Sequence, residues 1–208
     1  MNIDKAIRKQ KRSHRILMLS TGLIFFMLPG YFILTGKFYT FYTTYLIILE
    51  ILIFLAIIVK VDNASLSFTY DGYRLKVNIG IKNSRLNIIC DKIVFVHVED
   101  YVQKNTGRSE FKIIFISISK FRNDRMIPVH REFLKRHAYV AHEYAKLKII
   151  YPKEEFYYTI IKRGELNKYP FLDTVYKSCV YANFTKESIE KIKFYRNNSE
   201  NYVLKNKK

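Results

Sequence analysis

The imidazoles of His130, His137 and His142 fall close together, with Glu143 beside the last of them. A helical metal pair of the H-E-x-x-H kind needs histidines four residues apart, so that both leave one face of the helix. His137 and His142 are one residue further apart than that, about 140° around the axis of a helix with 3.6 residues per turn. They are expected at the surface or at an interface, and no metal is assigned. Cys90 and Cys179 are distant in sequence and form no C-x-x-C pair, so two reduced, largely buried thiols are expected. His97 follows Cys90 closely, but a Cys–His dyad is decided in space. The chain has no G-x-S-x-G, no Walker sequence and no G-x-G-x-x-G. No catalytic residue and no cofactor are assigned.

Charge offers a second kind of chemistry. Lys and Arg number 36 against 18 Asp and Glu, a formal net charge of +18. Lys120, Arg122, Arg125, Arg131, Lys135 and Arg136 crowd into one stretch, where they are candidates to hold anionic lipid headgroups or an acidic partner. Each basic group near such a surface contributes about 1 kcal/mol. A nucleic-acid partner also suits the charge, but the chain lacks a recognisable binding motif. A tether to the membrane would place these residues beside anionic lipid already.

The third candidate is a single carboxylate. Glu50 stands inside YLIILEILIFLAIIVK, residues 45–60, which is otherwise apolar until its last residue. Lys37 is the nearest cation toward the preceding turn, too far along the chain to reach it. A carboxylate at the middle of a membrane span is costly when ionised and in need of a partner when protonated. Three outcomes follow: a hydrogen bond within the hairpin, a bond across a homo-oligomer, or a bond to a different membrane protein. The last two point to assembly.

The elements that position these groups are arranged in blocks. Residues 1–15 are polar and basic, a cytoplasmic N-terminal segment. Two apolar blocks follow, at about 16–35 and 41–60, each near the 20 residues that span a hydrocarbon core as a helix. Only a turn separates them, so residues 16–60 are expected to form a transmembrane helical hairpin. Pro29-Gly30 is expected to kink the first helix or begin its exit. Tyr31, Phe38, Tyr39, Phe41 and Tyr42 suit an interfacial belt. Basic residues stay inside, which puts both termini in the cytoplasm of a multi-pass protein. The Lys, Asn, Ile and Tyr bias suits an AT-rich bacterial genome, hence a bacterial cytoplasmic membrane.

The rest has the composition of a soluble domain. ASLSFTY and YRLKVNIG flank Asp71-Gly72, a hairpin signature. NSRLNIIC, DKIVFVHVED and EFKIIFISIS are further strands, and FRNDRMIPVH is a shorter strand or loop. In DKIVFVHVED, Ile93, Phe95 and His97 alternate with Val94, Val96 and Val98, so both faces are apolar. An antiparallel meander or small barrel is expected. REFLKRHAYVAHEYAKL has helical spacing, and EEFYYTIIKRG is expected as a helix stopped by Gly164. KYPFLDTVYKSCV and FTKESIEKIKFYRNN are helices, the second capped by Thr185 and carrying Ile189, Ile192 and Tyr195 on one stripe.

YDGYRLKVNIG and RLNIICDKIVFVHVED, behind two apolar spans, resemble the bacterial membrane proteins with a PH-like domain. The resemblance covers residues 65–120. It implies a partly open barrel closed by a helix, for which REFLKRHAYVAHEYAKL is the candidate, and a binding or scaffolding role without catalytic residues. The expected architecture is therefore a membrane-anchored α+β protein: the two-helix hairpin, a PH-like strand-rich domain over 61–150, and a helical C-terminal extension over 151–208. The expected role is a non-catalytic adaptor or scaffold that docks a membrane-protein partner or a second copy. A tethered domain for anionic lipid or a small ligand is the alternative, and an enzyme whose site is not visible in sequence is the further one.

Overall fold

The computed structural model describes residues 2–35, 40–81, 84–102, 107, 109–121 and 126–199. Lys37, Arg122 and Arg125 lie outside the described residues.

Two long helices come first. Helix α1 runs unbroken through Ile3–Thr35, so the basic segment is its opening turns and Pro29 lies within it. Helix α2 covers Thr40–Ala64. Within it Thr43–Ala64, with a mean hydropathy of 2.5, is long and apolar enough to cross a membrane. Among the described residues this is the one helix that meets that criterion, where two were expected.

The domain that follows is α+β with largely antiparallel sheets. Strands β1 (Leu66–Tyr70), β2 (Arg74–Ile79) and β3 (Ser84–Ile89) form one sheet in sequence order. Alternation explains it: Leu75, Val77 and Ile79 turn inward while Arg74 and Lys76 face water. The expected turn joins β1 to β2, with the Asp71 carboxylate accepting from the Arg74 N–H at 2.8 Å and Gly72 at φ +92°.

Strands β4 (Ile93–Val102) and β5 (Ser109–Ser117) are the centre of the second sheet. Strands β6 (Ile127–Pro128), β7 (Tyr157–Ile161) and β8 (Asn183–Phe184) complete it, in the order β6-β7-β5-β4-β8. The sheet is buried on both faces, as the apolar alternation in β4 requires. The parity is not the simple one, however. Register shifts between Ile93 and Phe95, a β-bulge, and Ile93 consequently shares a core with Val96 and Val98 while Val94 packs with Phe95. Strand β7 corrects the helix expected over EEFYYTIIKRG. Tyr157, Tyr158, Thr159, Ile160 and Ile161 are aromatic or β-branched, a composition that fits a pleated surface, and β5 supplies an antiparallel partner.

The helix expected over REFLKRHAYVAHEYAKL is two: α3 (Arg131–Arg136) and α4 (Ala138–Ile150). His137 breaks it at φ −131°, ψ 73°, because its imidazole is held by Glu99 of β4 at 2.6 Å. These helices cover the outer face of the larger sheet through Phe133, Val140 and Leu147. The core shared by both sheets is sealed by α5 (Lys168–Ser178), through Phe171, Leu172 and Val175. The helix expected to close a barrel thus covers the outer face of the larger sheet, and α5 covers the core between the sheets. Helix α6 (Lys186–Asn198) is capped by Thr185, whose side chain accepts from the Ser188 N–H. It buries Ile192 and Tyr195 of the expected stripe. Residues on both sides of position 150 share one core.

Candidate functional site at the junction of helices and domain

Both long helices contact the loop of residues 162–168. Asp62, near the end of α2, makes a bidentate pair with Arg163: Nη1 to Oδ1 at 3.0 Å and Nη2 to Oδ2 at 2.6 Å. The same carboxylate accepts from the Ile81 N–H at 3.0 Å. The Gly164 N–H donates to the Asn63 carbonyl at 2.9 Å. Bidentate geometry fixes orientation as well as distance, so the pair sets the angle at which α2 meets the domain. Two glycines make room for this contact. A Cβ on Gly80 (φ +74°) would meet Asp62 and Arg163, and one on Gly164 (φ +112°) would meet Leu66.

Helix α1 docks differently. Ile3 and Ile7 are buried with Tyr195 of α6. One to two turns on, Gln10 donates to the Glu165 carboxylate, and His14 Nε2 lies 3.6 Å from it. Glu165 has φ +43°, a left-handed backbone that costs a non-glycine residue of order 1–3 kcal/mol. The contacts to α1 hold it there.

Lys168 lies behind Glu165 and is 1% exposed. Its ammonium donates to Glu110 Oε2 at 3.0 Å, to the Phe111 carbonyl at 2.6 Å and to the Lys162 carbonyl at 3.0 Å. All three of its donors are used. Burial pulls the ammonium below its ordinary range, against the pull of Glu110. Tyr101 donates to the same Glu110 oxygen at 3.1 Å, and its phenol is pushed up to about 12 by burial and by that carboxylate.

Two cavities flank α1 here, with Gln10 and His14 in the wall between them. One, of about 390 Å³, is floored by Glu110, Glu165 and Lys168. The other, of about 690 Å³, lies between α1, the end of α2 and β1, with Lys11 and Arg15 above Met18, Leu19 and Val61.

A second polar cluster lies on the outer face of the larger sheet. Glu99 Oε2 takes His137 Nδ1 at 2.6 Å and Lys112 Nζ at 3.2 Å. Burial pulls the Glu99 carboxyl up, but the bonds from His137 and Lys112 outweigh it and hold it below the usual carboxylate range. His97 is buried, with Nδ1 3.1 Å from Thr185 Oγ1 and its ring stacked on Tyr139. Burial lowers its pKa, with Glu187 and Glu99 opposing.

The candidates from sequence fare unevenly. Lys120, Arg131, Lys135 and Arg136 are exposed. Arg131 and Lys135 share a face of the short α3, and Arg136 lies 3.9 Å from Glu132. Glu50 is half-buried in α2, and its Oε1 is buried with no hydrogen-bond partner among the described residues. Cys90 and Cys179 are both buried free thiols within one core. The His97 ring nitrogen is engaged by Thr185 and not by Cys90. Among the described residues no three His, Cys, Asp or Glu side chains are grouped to hold a metal ion. Sequence reasoning passed over Gln10, His14, Asp62, Arg163, Glu165 and Lys168. The one local signal was Gly164, taken there for a helix stop.

No family model, no curated protein and no solved structure matches this chain.

Proposed function

We propose that this chain is a membrane-anchored adaptor of a bacterial cytoplasmic membrane: a two-span hairpin carrying a PH-like domain, with both termini in the cytoplasm. The observation that carries the reading is topological. The start of α1 is packed on α6 through Ile3, Ile7 and Tyr195, and the end of α2 is clamped by Arg163. Both outer ends of the helix pair therefore lie at the domain, and a chain that leaves and returns to one side crosses an even number of times. If α2 crosses, α1 crosses as well. The side chains agree: Leu19, Leu23, Phe26 and Met27 of α1 and Ile47, Ile51, Leu52 and Phe54 of α2 are exposed, a patch too large for water and ordinary in lipid.

Glu50 is the docking group within the span. Its inward oxygen has no partner among the described residues, and a carboxyl in hydrocarbon gains by meeting a polar group on another helix, by about 0.6–2 kcal/mol. The adaptor exposes Lys120, Arg131, Lys135 and Arg136 to a partner or to anionic headgroups.

The test uses the tagged full chain. A reporter fused after Lys208 should be active only if it works in the cytoplasm. In mild detergent, Glu50→Gln should retain the co-purifying chain, and Glu50→Leu should insert normally yet lose most of it. An exterior-dependent reporter that is active overturns the topology. Association unchanged in Glu50→Leu overturns the docking role.

A further inference from the structure

The larger cavity beside α1 has a specific makeup. Its upper wall is cationic, with Lys11 and Arg15 one helical turn apart on α1 and His14 beside them. Its lower wall is apolar, from Met18 and Leu19 one turn further on and from Val61 across on α2. No Asp or Glu lines it. Lys11 and Arg15 are exposed and have no acidic partner among the described residues. The change from charge to hydrocarbon occurs along one helix at Arg15–Ile16, the level where a membrane surface passes if α2 crosses it. Ser65 and Asn167 add hydrogen-bonding groups to the upper wall.

From this layering we propose that the cleft between α1, α2 and β1 binds one anionic phospholipid, its phosphate between Lys11 and Arg15 and an acyl chain along Met18, Leu19 and Val61. The inference rests on the membrane reading above. It is separate from the basic stretch around α3, because the site needs a cavity with an apolar floor. A bare patch of surface charge would attract headgroups without preference for the cleft. The Asp62–Arg163 pair holds the end of α2, and with it Val61, against the domain, and the cavity is open in the structure. A preformed site loses less affinity to ordering.

The experiment takes the full chain in nanodiscs holding equal amounts of phosphatidylglycerol and phosphatidylcholine, then counts lipids retained on gentle extraction by native mass spectrometry. One phosphatidylglycerol should be retained over phosphatidylcholine by roughly tenfold or more, since two basic groups near the surface each contribute about fivefold. Lys11→Gln with Arg15→Gln should reduce this to under about threefold. Lys9→Gln with Arg12→Gln, which removes the same charge from residues that do not line the cleft, should leave it intact. Arg15→Lys should also keep it. Leu19→Trp, which retains all charge and fills the floor, should reduce retention of either lipid, and it carries the test should the charge variant misfold. The proposal falls if the unaltered chain shows no preference, or if both charge pairs reduce it equally, which is the mark of a diffuse field. It also falls if millimolar glycerol 3-phosphate displaces the bound species, which is the mark of a site for free phosphate. Failure of the chain to enter nanodiscs at all would instead count against the membrane reading.

Discussion

The two faces of the larger sheet are buried by different chemistry. Toward the smaller sheet and α5, the strands present Val96, Val98, Phe111, Ile113 and Phe115, an apolar surface throughout. Toward α3 and α4, they present Phe95, Ile114 and Ile116 together with His97, Glu99 and Lys112. The first face is held mainly by packing, which is dense and non-directional, with the buried ammonium of Lys168 bonded to Glu110 and to the Phe111 carbonyl at its edge. The second adds charged hydrogen bonds that must be aligned, and it includes groups that titrate. One sheet thus has a permanent side and a conditional side. The conditional side is where the helix breaks, at His137.

The sharpest way to break that comparison is to remove a ring from each face. Phe115→Ala should cost about 3–5 kcal/mol in urea unfolding of the chain in micelles, because Phe115 is fully buried beneath both sheets. Phe133→Ala on α3, which removes a ring stacked on Tyr158, should cost less, about 2–3 kcal/mol, because two short helices can settle into the space more readily than a sheet. Equal costs would make the faces equivalent.

A smaller effect is expected from Glu99→Gln. The amide keeps contacts to His137 and Lys112 but loses their charge assistance, and the carboxylate is partly open to water. The expected loss is about 1 kcal/mol in the same assay. A loss of more than about 3 kcal/mol would mean that the pair, and not Phe133, holds the outer layer.

Acidification should produce the smallest effect and a directional one. His97 has a folded pKa below its ordinary value of about 6.5, so the unfolded chain takes up the proton first as the pH falls. The stability it contributes is full above the unfolded value and is lost as the pH drops through the folded one. Melting temperature should therefore decrease between pH 7.5 and 5.5. His97→Phe should flatten that slope without changing the effect of Phe115→Ala. A slope unchanged in His97→Phe would assign the titration to another group.

How much of this the sequence carried depends on range. Local pattern sufficed for the hairpin at Asp71-Gly72, for the cap at Thr185 and for strands β2 to β5, where side-chain alternation is its own signal. It failed where a single residue or a distant partner decides. The bulge after Ile93 inverts one position of an otherwise regular alternation, and nothing local marks it. The β composition of residues 157–161 was visible but was outweighed by the helices around it, and only pairing with β5 makes it a strand. The helix over 131–147 has correct spacing, and it breaks because His137 is drawn to Glu99 across the fold. Cys90 and Cys179 meet through the packing of α5, which spacing cannot show. The site fared worst for the same reason. Asp62 and Arg163 are ordinary surface types at remote positions, and Lys168 was one lysine among many. Glu50 alone was conspicuous, because its surroundings in sequence are its surroundings in space.

The clamp between Asp62 and Arg163 has a mechanical consequence. A flexible linker would let the domain keep its own attitude however the anchor lay. Here Asp62 and Asn63 bond directly to Arg163 and Gly164, and Gly80 and Gly164 leave room for Asp62, Arg163 and Leu66 against their backbone. In the proposed topology these contacts couple a tilt of α2 to the domain. A membrane helix changes its tilt to match the thickness of the bilayer around it. In that topology the domain would swing like the pointer of a gauge as the bilayer thins or thickens, and the surface it presents would turn with it.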